Sequence, residues 1–307
     1  MQRWRIKRWD YYGVTTPTHF FSATIGDIGY LASIFVYLID LATGEYHEET
    51  LTIPLARGIT LPRNSTKGES VFDNGKVRLR FHAEPEARKL AVTWPGFGGH
   101  DLSAEVKLRL PREHESMTVV IPIAGNRFYY NRKVNCMEAS GWIKHGDDRI
   151  EVQPANSLGN LDWGRGVWEY NSFWVWAGAS GFLPDGRTVG LNMGYGFGDT
   201  SAATENALIL NGRVHKLAQV DFTYDSSNFP LKRICDKRPW KMTAPDGRLA
   251  LEFVPFVERV AKTDLQVLSS EVHQMFGRYH GTATADDGEV IRLDGLVGFA
   301  EEHHAKW

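Results

Sequence analysis

Five turn pairs punctuate the chain: Asn74-Gly75, Asp185-Gly186, Asn211-Gly212, Asp246-Gly247 and Asp287-Gly288. They lie between short β-branched or aromatic runs, of which Thr118 to Ile123, Arg127 to Val134, Thr188 to Met193, Arg248 to Val254 and Glu289 to Leu293 are examples. Asn-Gly and Asp-Gly accept the positive φ of tight hairpins, and a two-residue connection can join only antiparallel neighbours. Repeated along 307 residues without βαβ alternation, this punctuation predicts an all-β chain of antiparallel barrels or sandwiches. One short helix is expected, over Val257 to Leu268. The apolar run Ile28 to Leu41, broken by Asp40, is too short to span a bilayer and reads as one long buried strand.

Composition removes several functions. Hydrophobic residues make up 42% and charged residues 23%, which excludes wholesale disorder. A net charge of −2 leaves no general footprint for nucleic acid. Cys136 and Cys235 are too few for a disulfide framework or a cysteine zinc cage, and they fit a reducing compartment. No apolar core follows the basic residues Arg3, Arg5, Lys7 and Arg8, so a cytoplasmic protein without stable membrane insertion is expected. Gly194-Tyr195-Gly196-Phe197-Gly198 is not followed by a helix and is no dinucleotide fingerprint. No Walker sequence or HExxH is present, and neither metal nor cofactor is expected. His303 and His304 read as a solvated polar tail. Met193, Met242 and Met275 read as core filler. The loop Asn64 to Glu69 and the basic, proline-containing segment Ser226 to Pro239 are the strongest punctuation. They suggest one domain over 1–212 and a second over 213–307.

The stretch Leu161 to Gly181 carries most of the chemistry. Read as a strand from Val167, it places Trp168, Tyr170, Ser172, Trp174 and Trp176 on one face. Such a face either walls a cavity for an apolar or polyene ligand or is a bulky barrel core. Asp162 and Arg165 precede it, with Gly164 and Gly166 free to bend the chain and aim the pair at the barrel mouth. An acid beside ring faces is what protonation of an alkene needs, because the rings stabilise the cation that forms. The alternative is a structural Asp–Arg turn. Glu205 and Asn206 form a second polar cluster or a solvated turn.

Leu161-Asp162-Trp163-Gly164-Arg165-Gly166-Val167-Trp168, followed by Tyr170, Trp174 and Trp176, resembles the signature of the family catalogued as domain of unknown function 2804. Arg127-Phe128-Tyr129-Tyr130, Thr204-Glu205-Asn206-Ala207, Gln274-Met275-Phe276-Gly277 and the ending Gly298 to Trp307 match as well. Glu169 and Val175 depart from the family pattern of Pro and Asn. The Asp162-Trp163-Gly164 and Trp174-Val175-Trp176 order, with the tail from Arg278 to Glu301, is more distantly similar to the carotenoid 1,2-hydratase and AttH-like proteins. That likeness implies two lipocalin-like (calycin) barrels packed together, and an apolar terpenoid or polyene bound without a redox cofactor.

The expectation is therefore a protein that binds an isoprenoid, polyene or other lipid in a barrel cavity. Trp163, Trp168, Tyr170, Trp174, Trp176, Glu205 and Asn206 are the candidate ligand contacts. Acid-assisted hydration, isomerisation or cyclisation would use Asp162 as acid and Arg165 to position it. A non-catalytic lipid carrier or sensor, or a structural or interaction protein with filled barrels, are the alternatives.

Overall fold

The computed structural model describes residues 3–228, 238–264 and 266–307. Apart from two short 3-10 turns, Arg3–Arg5 and Ser226–Asn228, the regular elements among these residues are strands, paired antiparallel. All five turn pairs connect consecutive strands. Their glycines have φ of 84° (Gly75), 87° (Gly186), 76° (Gly212), 76° (Gly247) and 90° (Gly288). At Asn211-Gly212 the asparagine is left-handed too, with φ 51°, as a type I′ hairpin requires.

Two units pack separately: Met1–Ser116 with Tyr130–Val167, and Met117–Tyr129 with Trp168–Trp307. The packing boundary thus falls at Val167/Trp168, whereas the sequence placed a boundary after residue 212. Asn211-Gly212 is a hairpin inside one sheet, joining the paired strands Ala207–Leu210 and Arg213–Lys216. The punctuation behind the later boundary, with Pro230 and Cys235, lies largely outside the described residues.

In the first unit the strands run in the order Tyr46–Pro54, Leu31–Asp40, His19–Asp27, Ile6–Thr15, Leu158–Val167, Arg127–His145, His100–Arg109, Ala87–Phe97, Arg78–Glu84, Gly68–Asp73, Ile59–Thr60. Strands from both ends of this order feed one core. Ile34 and Leu51 from one end meet Phe72 and Ile59 from the other, so the sheet is curled on itself. The second unit runs Arg213–Lys216, Ala207–Leu210, Thr188–Tyr195, Asn171–Phe182, Val290–Lys306, Ser269–Thr284, Leu249–Asp264, Trp240–Thr243, Asp221–Thr223. Its ends likewise share a core, Leu208 and Leu210 with Met242 and Phe253. Met193, Met242 and Met275 are wholly buried there, as core filler should be. The fold is nearly all-β, two curled antiparallel sheets consistent with two lipocalin-like domains.

Two local expectations change. The run Ile28 to Leu41 is not one strand. The Ile28 amide donates to the Leu31 carbonyl at 2.9 Å and Gly29 has φ 98°, so a tight turn precedes the strand Leu31–Asp40. Among the described residues of Val257 to Leu268, which leave out Leu265, there is no helix. The strand Leu249–Asp264 runs through Val257, paired from Val257↔Phe276 to Asp264↔Ser269. A bulge between Pro255 and Val257 switches which parity faces the core, so the apolar spacing loses its period of two and mimics a helical one.

Gly141 lies inside the strand Arg127–His145 with φ 131°, and a Cβ there would sit 2.0 Å from the Glu105 carbonyl oxygen. Gly141→Ala combines backbone strain with a collision against main chain that cannot rotate away. The expected loss of stability is about 2 kcal/mol, read by urea denaturation. A variant as stable as the parent would show that the two strands part easily.

Candidate ligand-binding site

The sequence-predicted residues fall into two groups, one in each unit. In the first unit Asp162 lies in the strand Leu158–Val167, which pairs residue for residue with Ile6–Thr15 and does not bend at Gly164 or Gly166. Gly164 serves close approach instead: a Cβ there would meet the Trp9 indole at 2.2 Å and the Tyr130 carbonyl at 2.7 Å. The indole passes over the glycine, and its Nε1 donates to Asp162 Oδ1 at 3.0 Å. Lys133 Nζ donates to Oδ2 at 2.7 Å. Asp162 is 8% exposed, so this is a buried ion pair with both carboxylate oxygens engaged. Arg165 is not its partner. The guanidinium stacks 4.5 Å over the Trp163 ring and Nη2 donates to the Pro62 carbonyl at 2.9 Å. Trp163 is 4% exposed and belongs to the apolar core, with Tyr130 edge-on at 5.8 Å.

In the second unit the aromatic stretch is interrupted. Residues 168–170 leave the strand, and a new strand begins at Asn171. Tyr170 is 51% exposed, and its hydroxyl donates to the Val267 carbonyl at 2.5 Å. It is therefore off the wall. From Trp174 on, the faces alternate. Val175, Ala177 and Ala179 point into the core, so Trp174 and Trp176 lie on the other face of the sheet. The tryptophan face does not line the interior core, contrary to the barrel-wall reading.

On that outer face, half-buried rings meet edge to face. Trp168 lies 5.7 Å from Trp174, 5.2 Å from Phe197 and 5.8 Å from Trp307, and Trp174 lies 5.4 Å from Phe197. Trp176 packs apart, buried against Phe299 at 4.7 Å, with Nε1 donating to Asn192 Oδ1 at 2.9 Å. Polar partners border the cluster. The Tyr129 hydroxyl donates to Glu205 Oε2 at 3.1 Å, and the Tyr129 ring meets Phe197 edge-on at 5.1 Å. Gly194 leaves room for Glu205, since a Cβ there would meet Oε1 at 2.2 Å. Asn206 is buried and structural: Oδ1 accepts from the Gly194 amide at 2.7 Å and Nδ2 donates to the Ala218 carbonyl at 2.8 Å. Trp174 Nε1 donates to Glu301 Oε1 at 3.2 Å, Gln274 Nε2 to Glu301 Oε2 at 2.9 Å, and Arg259 Nη1 to Gln274 Oε1 at 3.1 Å.

His303 corrects a second reading. It is no solvated tail residue but part of the strand Val290–Lys306, paired opposite Trp174, with its ring tilted against the Trp174 ring at 3.9 Å. Burial, with smaller contributions from His304 and Arg259, pushes its pKa down from 6.5 to about 3, so the ring is neutral at physiological pH. The sequence hid it because Glu301, Glu302, His303 and His304 look like a polar terminus. Only strand alternation opposite Trp174 and Trp176 could have revealed it. The second unit also holds an open groove of about 440 Å³, with Phe173, Lys262, Glu271, His304 and Lys306 in its lining. None of the predicted site residues lines that groove.

Among the described residues, no helix is long and apolar enough to cross a membrane. Solved structures with similar folds include CghA with Sch210972, at TM-score 0.55 and 11% identity over 98% of this chain and 88% of that one. A putative AttH protein from Nitrosomonas europaea aligns at TM-score 0.54 and 14% identity over 100% of this chain and 93% of that one. Kievitone hydratase from Nectria haematococca aligns at TM-score 0.48 and 13% identity over 98% and 88%. No curated protein matches the sequence. A family model, domain of unknown function (DUF2804), matches residues 1–307.

Proposed function

The chain belongs to the DUF2804 family, and on that footing we propose that it binds an apolar, unsaturated small molecule of the isoprenoid or polyene class against the ring cluster of its second unit. One observation carries this reading. The second unit completes its apolar core with the opposite face of the sheet, so Trp168, Trp174, Phe197 and Trp307 are not needed to fill it. Large rings left half-buried beside hydrogen-bonding side chains offer ring faces to an unsaturated ligand and polar groups to orient it. Tyr129 and Glu205, at the edge of Phe197, supply the polar end. CghA, solved with Sch210972, supports the reading as a protein of similar fold studied with a small molecule.

Acid-assisted chemistry on such a ligand would draw its proton from the Glu205–Tyr129 pair rather than from Asp162, whose oxygens are held by Trp9 and Lys133. Farnesol titrated into the protein should quench tryptophan fluorescence. Trp168→Ala, which removes the ring that touches Trp174, Phe197 and Trp307, should weaken the apparent affinity about tenfold, the worth of one aromatic contact. Unchanged affinity in Trp168→Ala, or no saturable quenching in the parent, would favour rings that serve packing alone.

A further inference from the structure

On five strands of the first unit the core-facing side carries a polar residue next to an apolar core residue. Asp10 stands two positions before Tyr12, Ser70 two before Phe72, Arg88 two before Leu90, Arg132 two before Val134, and Arg165 two after Trp163. Tyr12, Phe72, Leu90, Val134 and Trp163 all belong to one apolar core. Residues two apart on a strand share a face, so the five polar groups crown that core. Their contacts confirm the grouping. Ser70 Oγ donates to Asp10 Oδ2 at 2.5 Å. Arg88, wholly buried, donates through Nη2 to the Ser65 carbonyl at 2.9 Å and through Nη1 to the Ala87 and Glu84 carbonyls. Arg132 Nη1 reaches the same Ser65 carbonyl at 3.5 Å, and Arg165 donates to the Pro62 carbonyl at 2.9 Å.

The charges do not balance. Among these five residues three are arginines and Asp10 is the one carboxyl, with Arg88 the arginine that acts on it. Burial pushes that carboxyl up to about 6, and Ser70, Arg88 and Tyr12 only partly offset the burial. The remaining acceptors are neutral: the Pro62 and Ser65 carbonyls of one loop, the Glu84 and Ala87 carbonyls, and the Ser116 hydroxyl, which accepts from Arg132 Nε at 3.0 Å. Arg88 Nε and Arg165 Nε are buried without a hydrogen-bond partner. Buried positive charge facing neutral acceptors is costly, and a guanidinium fork matches a carboxylate in two parallel hydrogen bonds. The flanks are Trp163, Tyr130 and Tyr12, which suit an apolar body next to the charged head.

We propose that this end of the first unit binds the carboxylate of an apolar acid, with Arg88, Arg132 and Arg165 as donors and the Pro62 and Ser65 carbonyls as the groups it displaces. The site lies in a different unit from the ring cluster and does not depend on farnesol binding there. Decanoate, below its micelle concentration, is the probe, followed by calorimetry on the full chain. Decanoate should bind saturably and methyl decanoate at least tenfold more weakly. Arg132→Met and Arg165→Met, at half-buried positions and checked by thermal melting, should each weaken decanoate about tenfold or more, the effect of removing a hydrogen bond to a charged group. Decanoate should also speed tryptic cleavage after the exposed loop residues Arg63 and Lys67, because the loop loses its arginine tethers. Equal binding of acid and ester, undiminished binding in both folded arginine variants, or unchanged cleavage at saturation would overturn the proposal.

Discussion

Asp162→Asn lowers the stability of the folded chain by about 3–5 kcal/mol, the usual result of removing one partner from a buried ion pair. Lys133 has a side chain only 3% exposed and meets Asp162 Oδ2 at 2.7 Å. An amide at 162 keeps an acceptor for one donor but no negative charge, so the buried ammonium faces an amide where it had a carboxylate. The Trp9 indole, seated over Gly164, loses its charged acceptor as well. The double variant Asp162→Asn/Lys133→Met separates cause from accident. If the loss in the single variant comes from a stranded ammonium, removing that ammonium restores a large share of it. Urea denaturation of the parent, both single variants and the double variant measures the coupling. An Asp162→Asn protein as stable as the parent, with impaired turnover of a ligand, would return Asp162 to the role of acid.

The architecture was legible because hairpin chemistry is local. A glycine at 75, 186, 212, 247 or 288 needs its left-handed φ whatever the rest of the chain does, and each one marks a strand reversal. Strand alternation was legible only while its parity held. At Pro255/Val257 a bulge breaks it, and a strand looked like a helix. The interruption at residues 168–170 breaks it again, which put Tyr170 on a wall it does not join. The site was less legible for a different reason. Asp162 and Arg165 share a short motif, and proximity in sequence suggested a pair. In a strand, residues three apart point to opposite faces, so Arg165 joins the core-side arginines while Asp162 faces Lys133. Long-range partners such as Lys133, Trp9 or Tyr129 leave no mark near the residues they hold. Glu205 and Asn206 were singled out together, yet one borders the rings and the other ties backbone.

Acid destabilises this protein through His303 by about 1.4 kcal/mol per pH unit below the unfolded value, the slope for one proton bound in the unfolded state alone. The folded pKa is about 3 and the ordinary value is 6.5. Above 6.5 neither state carries the proton and the contribution is whole. As pH falls towards 3 the unfolded chain takes a proton that the folded ring refuses, and stability drains away. At pH 4.5 the loss from this group is about 2.7 kcal/mol. Asp10 acts in the opposite sense. Its folded pKa is raised from 3.8 to about 6, so folding gains as pH falls through that window. A raw stability curve therefore mixes the two, and the difference between the parent and His303→Gln isolates the histidine. Glutamine keeps a polar end for Ser270, which lies 2.9 Å from His303 Nε2, but cannot take the proton. The difference should be flat above pH 7 and shift steadily in favour of the variant from pH 6 to pH 4. A difference that stays constant across that range would mean that the imidazole protonates in place. The ring over Trp174 would then be accessible to water and available as a proton donor beside the aromatic cluster, rather than a neutral wall of it.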